Sequence, residues 1–128
     1  MKRIVLALIL ISSTSHGYEY GRALNNQAHE MATCAAYFML VSKVLSNVND
    51  DETSKSYLES SGYALKLSIE MSDKELTEAR LEMSLEEMSA KIGGKGERIS
   101  ILFPDYAVQC KDMLNNPYKR LEYWINKK

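Results

Sequence analysis

The feature that most constrains the fold of this chain is a long run of helically spaced apolar residues with a cysteine among them. Between residues 23 and 48 two neighbouring rows can be traced, namely Leu24, Ala28, Met31, Ala35, Phe38 and Leu45 in the first and Cys34, Val41, Val44 and Val48 in the second. Steps of mostly three and four residues place both rows on one face of a long α-helix. A face this wide is too broad for a two-stranded coiled coil and is typical of a helical-bundle core.

Cys34 lies on this face, and the other cysteine, Cys110, occupies an apolar helical position far along the chain. The sequence has no CxxC motif, and His29 lies about 140° round the helix from Cys34, given 3.6 residues per turn. We therefore predict a structural Cys34–Cys110 disulfide rather than reactive thiols. In the chain-entropy model, a bridge that closes a loop of roughly 75 residues contributes ~4 kcal/mol of stability.

Residues 1–17 have the pattern of a secretory signal peptide. Basic Lys2 and Arg3 precede the unbroken apolar run 4–11, and small residues follow at Ser15 and Gly17. The run is too short for a membrane span, which needs about 20 apolar residues. We predict cleavage after Gly17, a single helical domain over residues 18–128, and a periplasmic or secreted location.

Length and charge limit the classes of partner. The chain has 128 residues, with 16 Lys and Arg against 17 Asp and Glu, and two of the basic residues, Lys2 and Arg3, fall in the predicted leader. The predicted mature chain is therefore mildly acidic, which offers no general attraction for nucleic acid or anionic lipid. Its length suits one domain, and we expect no stable membrane span after cleavage.

Capping signals divide the rest of the chain into further helices. The first helix is expected from about Leu24, or from as early as Tyr20, to Val48, after a loose lead at residues 18–22. Asp50 or Asp51 is the expected cap of a second helix over about 52–70, and Ser72 with Glu75 predicts a capping box for a third. The second helix is rich in small residues, so we expect it to approach a neighbour closely, with the cost of Gly62 offset by that packing.

The C-terminal part contains three further boundaries. Gly93 and Gly94 are expected to end the third helix. Helical spacing continues across Pro104, so either one helix is kinked there or a new helix begins with Pro104 in its first turn. Asn116 and Pro117 have the cap and first-position pattern of a last helix. The predicted fold is all-α, a small bundle of four to five helices with one disulfide.

No group of residues in the sequence forms a recognisable catalytic or metal site. His29-Glu30 lacks the second histidine of a zinc-protease motif, and residues 93–96 lack the spacing of a phosphate-binding loop. After cleavage one histidine remains, so a conventional zinc site lacks ligands if the cysteines are bonded. We predict a non-enzymatic protein without a cofactor.

Two surfaces are candidates for contact with a partner. The third helix carries an acidic row at Glu78, Glu82 and Glu86, a pattern that is also typical of an ordinary solvated face. The tail carries residue types favoured at interfaces, namely Tyr118, Arg120, Tyr123 and Trp124. The alternative for the tail is an aromatic lid that closes the bundle.

These features predict an exported protein-binding domain, an inhibitor or immunity-type protein that acts on another exported protein. The layout of signal peptide, small helical body, single disulfide, acidic face and tyrosine-rich surface resembles that of periplasmic immunity and lysozyme-inhibitor proteins in general. It rests on no specific motif and implies no site residue. The alternative is a carrier of a small molecule, metal or haem in the bundle core, for which the methionines and His29 are the candidate metal ligands.

Overall fold

The structure is a computed structural model that describes residues 13–127. Within that range the chain forms five α-helices, namely α1 (Ser13–Asn47), α2 (Asp51–Met71), α3 (Lys74–Lys91), α4 (Phe103–Asn115) and α5 (Pro117–Asn126), and a 3₁₀ helix over Gly96–Leu102. The predicted all-α bundle is confirmed. Most of the predicted signal peptide lies outside the described residues, and the leader and its cleavage remain predictions.

Helix α1 is the central element, and it contacts α2, α3, α4, α5 and the 3₁₀ helix. One hydrophobic core surrounds it, formed by Met31, Cys34, Ala36, Tyr37, Phe38 and Val41 of α1, Met88 of α3, Ile92, Leu102, and Cys110 and Met113 of α4. The other elements thus pack on the wide apolar face predicted for this helix, except at its end, where Val48 lies beyond α1 and is 65% exposed.

The disulfide joins α1 to α4 across this core. Cys34 and Cys110 are bonded, their Cα atoms lie 5.4 Å apart, and both residues are buried. The predicted pairing is therefore confirmed. Apart from this bridge, α4 contacts α1 less extensively than α2, α3 and α5 do. The disulfide is therefore an important link that holds α4 against α1.

Helices α1 and α2 approach closely through serine hydroxyls. Ser61 Oγ donates to the carbonyl oxygen of Ala35 at 2.8 Å, and Ser68 Oγ donates to that of Ala28 at the same distance. A hydroxyl can reach the backbone of another helix only where small residues let the two axes come together. The predicted close approach of the second helix is confirmed by these contacts.

Gly62, however, is not part of that approach. A Cβ atom at Gly62 would meet no atom within 4 Å, because the residue faces away from α1, beside the buried Ser61. The expectation that packing offsets the cost of Gly62 was wrong.

The helix ends follow the predicted signals with one correction. The Asp50 side chain accepts from the backbone N–H of Thr53 and caps α2. At α3 the cap is Asp73, whose carboxylate accepts from the Leu76 N–H at 2.8 Å, while the Ser72 hydroxyl donates back to Ser68 and ends α2. The capping box predicted at Ser72 was wrong by one residue because aspartate is an equally good cap.

The later boundaries are set by Gly, Pro and Asn. Gly93 and Gly94 have φ angles of 61° and 68°, the left-handed conformation that ends a helix at low cost in glycine. Pro104 lies in the first turn of α4, so the second of the two predicted alternatives holds. The Asn116 side chain caps α5, with Pro117 at its first position.

Helix α1 extends further towards the N-terminus than the predicted starts near Leu24 or Tyr20, because Ser13, the first described residue, is already helical. Two contacts with the C-terminus hold this part of α1, and the first of them lies in the turns before Leu24. The Arg22 guanidinium donates to the Lys127 carbonyl at 2.7 Å, and buried Gln27 donates to that of Pro117 at 2.7 Å. These contacts are with residues about 90 to 105 positions away, which local sequence patterns do not report.

Candidate functional site

An open cleft with a volume of about 810 Å³ lies between α4 and α5. Its apolar lining consists of Pro104, Val108 and Met113 from α4 and Tyr123 from α5. Val108 is 71% exposed, although it is a large apolar residue within a helix. The cleft thus presents apolar surface to solvent on the tail that the sequence marked as a candidate.

The cleft exists because α4 and α5 are separated by Asn116 alone. Asn116 accepts from the Lys119 N–H, and Pro117, which has no N–H to donate, starts the next helix in a new direction. Two short helices that diverge from one residue leave a cleft between them.

The wall of the cleft is held by a carboxylate of α1. Glu30 accepts two bonds from Arg120 Nε at 2.9 and 3.1 Å and one from Arg120 Nη2 at 3.0 Å. It also accepts from Gln109 Nε2 at 3.0 Å and from the indole N–H of Trp124. The Glu30 side chain is only 14% exposed, so donors from α4 and α5 surround a largely buried charge.

Arg120 is held on its other side by aromatic rings. Its guanidinium carbon lies 4.2 Å from the centroid of the Tyr123 ring and 5.3 Å from that of Trp124. The two rings meet edge to face at 5.2 Å, and the ammonium of Lys127 lies 5.4 and 5.0 Å from them. Cation–π contacts and a bidentate ion pair therefore fix Arg120 and Tyr123 in one arrangement.

The structure brings three of the predicted tail residues together, namely Arg120, Tyr123 and Trp124. Trp124 is partly buried against Glu30, whereas Tyr123 keeps 44% of its surface exposed at the cleft. Tyr118 lies on the same helix and is 79% exposed. The tail thus combines a lid-like contact with exposed aromatic surface.

The acidic row lies elsewhere. Glu78, Glu82 and Glu86 are exposed on α3, and Glu78 forms an ion pair with Lys74 at 3.8 Å. Helices α3 and α5 both pack on α1 and do not contact each other. The two candidate surfaces are therefore separate.

Sequence reasoning missed Glu30, Gln109 and Val108. Glu30 was considered only as part of a metal motif, and no local pattern pairs it with Arg120, 90 residues away. For Val108 a signal existed, because it lies on the opposite face of its helix from Tyr106 and Cys110. An apolar residue off the core face is a candidate for surface contact.

Two titratable groups near the core and the cleft have shifted pKa values. Burial, and next to it the neighbouring Tyr57, raise the pKa of Tyr37 to about 12. A hydrogen bond with Tyr106 leads the causes that raise the pKa of Lys91. Both shifts leave the two side chains protonated near neutral pH, so neither becomes an acid or base suited to catalysis there.

In the described part of the chain, no three His, Cys, Asp or Glu side chains are grouped so that they could hold a metal ion. His29 is exposed on α1, whereas Met31, Met88 and Met113 lie in the core. Across residues 13–127 no helix combines the length and apolar character needed to cross a membrane. No protein-family model matches the chain, and neither a curated protein nor a solved structure matches it.

Proposed function

We propose that this protein is a non-enzymatic binding protein of the cell envelope or its exterior, and that its α4–α5 cleft receives a segment of another exported protein. The observation that carries the proposal is the exposed Tyr123 ring, held beside Arg120 by the Glu30 carboxylate at the edge of an open cleft. Inhibition or neutralisation of that partner is the mode of action we favour.

The lining supports a polypeptide as the bound molecule. Apolar groups such as Val108 and Tyr123 lie among side chains that can pair with a peptide backbone, namely Asp112 and Asn115. Both signs of charge are present, with Asp105 and Lys119 at the edges. Protein interfaces combine apolar anchors with distributed hydrogen bonding in this way.

Rigidity supports the same proposal. Tyrosine and arginine are frequent among the residues that dominate binding energy. A side chain that is already fixed loses little conformational entropy on binding. The Glu30–Arg120 pair and the ring contacts supply that preorganisation before any partner arrives.

The predicted leader and the disulfide support an exported location. Disulfides persist in oxidising compartments and are rare in the cytosol. The bonded pair is consistent with the location predicted from residues 1–17.

Site-specific photo-crosslinking in the native host tests the proposal. A benzoylphenylalanine replaces Lys119, which lines the cleft, and in a matched variant it replaces Glu82 in the acidic row of α3. We expect a discrete crosslinked protein from position 119 and none from position 82. The captured protein should then bind the purified domain, with affinity reduced more than tenfold by Tyr123→Ala.

Two outcomes contradict the proposal. A crosslink from position 82 alone would move the binding surface to α3. Absence of a discrete product at both positions, with each variant folded and exported, would exclude a protein partner at either candidate surface.

A further inference from the structure

A second cavity, of about 640 Å³, lies next to this cleft, between α4, α1 and α2. Its floor is formed by Tyr37 and Phe38 of α1 and Tyr57 of α2, and Ala107, Val108 and Leu114 of α4 line the facing wall. The volume is within the range of small-molecule sites in proteins, about 300–1,000 Å³. The cavity adjoins the cleft in which the proposed partner binds, because Val108, Asp112 and Asn115 of α4 line both.

The aromatic floor is rigid. The Tyr37 and Phe38 ring centroids are 5.4 Å apart, those of Phe38 and Tyr57 6.0 Å, and Tyr37 stacks on Tyr106 at 5.9 Å. Tyr37 is 2% exposed and Phe38 6%. These two rings are nearly covered, so a flat molecule would pack mainly on the half-buried Tyr57 ring, which lies against Phe38.

The floor carries two hydroxyl groups, and that of Tyr37 belongs to a residue of the core. It makes no hydrogen bond with any group in the described residues, although buried tyrosines usually find a partner. The buried side-chain nitrogen and oxygen atoms without a partner in that range are Gln27 Oε1 and Arg80 Nη1. The Tyr37 oxygen is not among these sealed atoms, so part of the small accessible area of Tyr37 belongs to its hydroxyl, and Tyr37 is one of the residues that line the cavity.

We propose that this cavity binds a small, neutral, planar organic molecule that accepts a hydrogen bond from the Tyr37 hydroxyl. The aromatic floor selects a flat apolar body, and the unpartnered hydroxyl selects an acceptor such as a carbonyl oxygen. Lys111 and Asp112, adjacent residues of opposite charge, both line the cavity. Their charges offset each other, which favours a neutral ligand over an ion.

The tyrosine remains a donor at physiological pH. Its pKa, raised to about 12 mainly by burial, keeps the hydroxyl protonated. An anionic phenolate would repel the acceptor, so binding should be constant across neutral pH and should weaken only in strong alkali. The inference does not depend on the protein partner proposed above.

Binding of prodan, a neutral planar naphthalene ketone, tests the inference directly. Its emission shifts to the blue in an apolar site, so a titration of the purified domain reports saturable binding. We expect Tyr37→Phe to weaken prodan binding about fivefold, the usual effect of one neutral hydrogen bond. The ketone-free analogue dimethylaminonaphthalene should bind the native protein and Tyr37→Phe equally.

Two further variants locate the site. Ser60→Trp, which fills the cavity, should abolish the shift, whereas Tyr118→Phe removes an exposed hydroxyl elsewhere and should leave binding unchanged. Circular dichroism should show that each variant is folded, and Tyr37→Phe retains the ring that packs in the core.

Three results would each overturn the inference. These are an absence of saturable binding to the native protein, equal prodan affinity of the native protein and Tyr37→Phe, and undiminished binding to folded Ser60→Trp. None of them bears on the crosslinking result, so the two proposals can fail independently.

Discussion

Glu30 shows how one residue can organise a surface that is distant in sequence. Its carboxylate accepts bonds from Arg120, Gln109 and Trp124, and so joins α1 to α4 and α5. A largely buried carboxylate is stable only when it is paired and fully hydrogen-bonded. The arrangement of the α4–α5 cleft therefore depends on this single side chain.

Replacement of Glu30 by alanine should destabilise the protein by about 2 kcal/mol, because a partly buried Arg120 would lose its counterion. Urea unfolding measures the loss. The emission of Trp124, the one tryptophan in the chain, should also change in the folded variant, since its indole N–H loses its acceptor.

Glu78→Ala is the matched control. Glu78 pairs with Lys74 at 3.8 Å on the surface, and exposed pairs of this kind contribute less than about 0.5 kcal/mol. Equal losses for the two alanine variants would contradict the role assigned to Glu30.

Tyr37 predicts a pH dependence of stability. Its pKa, ordinarily 10.0, is about 12 in the folded protein, so the unfolded chain loses the proton first as pH rises. The contribution of the protonated Tyr37 side chain to the free energy of unfolding is therefore intact below about pH 10. It is lost as the pH rises through about 12.

The free energy of unfolding should therefore fall more steeply between about pH 10 and pH 12 for the native protein than for Tyr37→Phe, by roughly 2 kcal/mol at the end of the range. Tyr118→Phe, at an exposed position, should follow the native curve. If Tyr37→Phe also followed the native curve, the phenol would not be buried in solution.

At the scale of elements, the α1–α2 interface follows a seven-residue repeat in both helices. Ala28, Ala35 and Ser42 of α1 face Ser68, Ser61 and Ser54 of α2, in antiparallel order. At the last of these pairs each hydroxyl donates to the other residue's carbonyl, at 2.8 and 2.7 Å. Small side chains and hydroxyls thus replace the large apolar side chains of an ordinary helix seam.

Neighbouring positions of α2 test this interface with the same substituent. Ser61→Leu should destabilise the protein by about 3 kcal/mol, because the larger side chain overpacks the interface and the bond to Ala35 is lost. Gly62→Leu should instead raise stability by up to about 0.8 kcal/mol, since leucine is the better helix former and the position is open.

Thermal or chemical unfolding of both variants gives the comparison. If Gly62→Leu lost as much stability as Ser61→Leu, the surface of α2 around Gly62 would be covered in solution. Near-neutral behaviour of Ser61→Leu would show that the two helices lie further apart than their hydroxyl contacts imply.

For the whole molecule, the disulfide determines how firmly α4 is held. The bridge spans 76 positions of sequence and lies in the core. Both cavities use α4 as a wall and share its residues Val108, Asp112 and Asn115. The position of α4 relative to α1 therefore decides whether either cavity exists.

The double variant Cys34→Ala, Cys110→Ala should lose about 4 kcal/mol of stability, the chain-entropy value for a loop of this length. Denaturant titration of the oxidised protein and of the variant measures the difference. Limited proteolysis should also become faster within α4. A loss below about 1 kcal/mol would mean that packing alone holds α4 in place.

Much of the fold was predictable because its determinants are local. Helical periodicity identified the core face of α1, and Asp50, Gly93 and Asn116 marked helix ends through bonds or φ angles within a few residues. The capping box at Ser72 failed since adjacent Ser and Asp are nearly equivalent caps. The disulfide was also predictable, because the chain has two cysteines and both occupy apolar helical positions.

The amino-acid sequence by itself thus determined the helices, most of their ends and the disulfide, because each follows from neighbouring residues or from the count of cysteines. Tertiary structure alone decided which surfaces remain open. The ion pair of Glu30 with Arg120 joins residues 90 positions apart, and the Tyr37 cavity is formed between three helices. Such features depend on how helices diverge and cross, and interactions within one helix do not specify those angles.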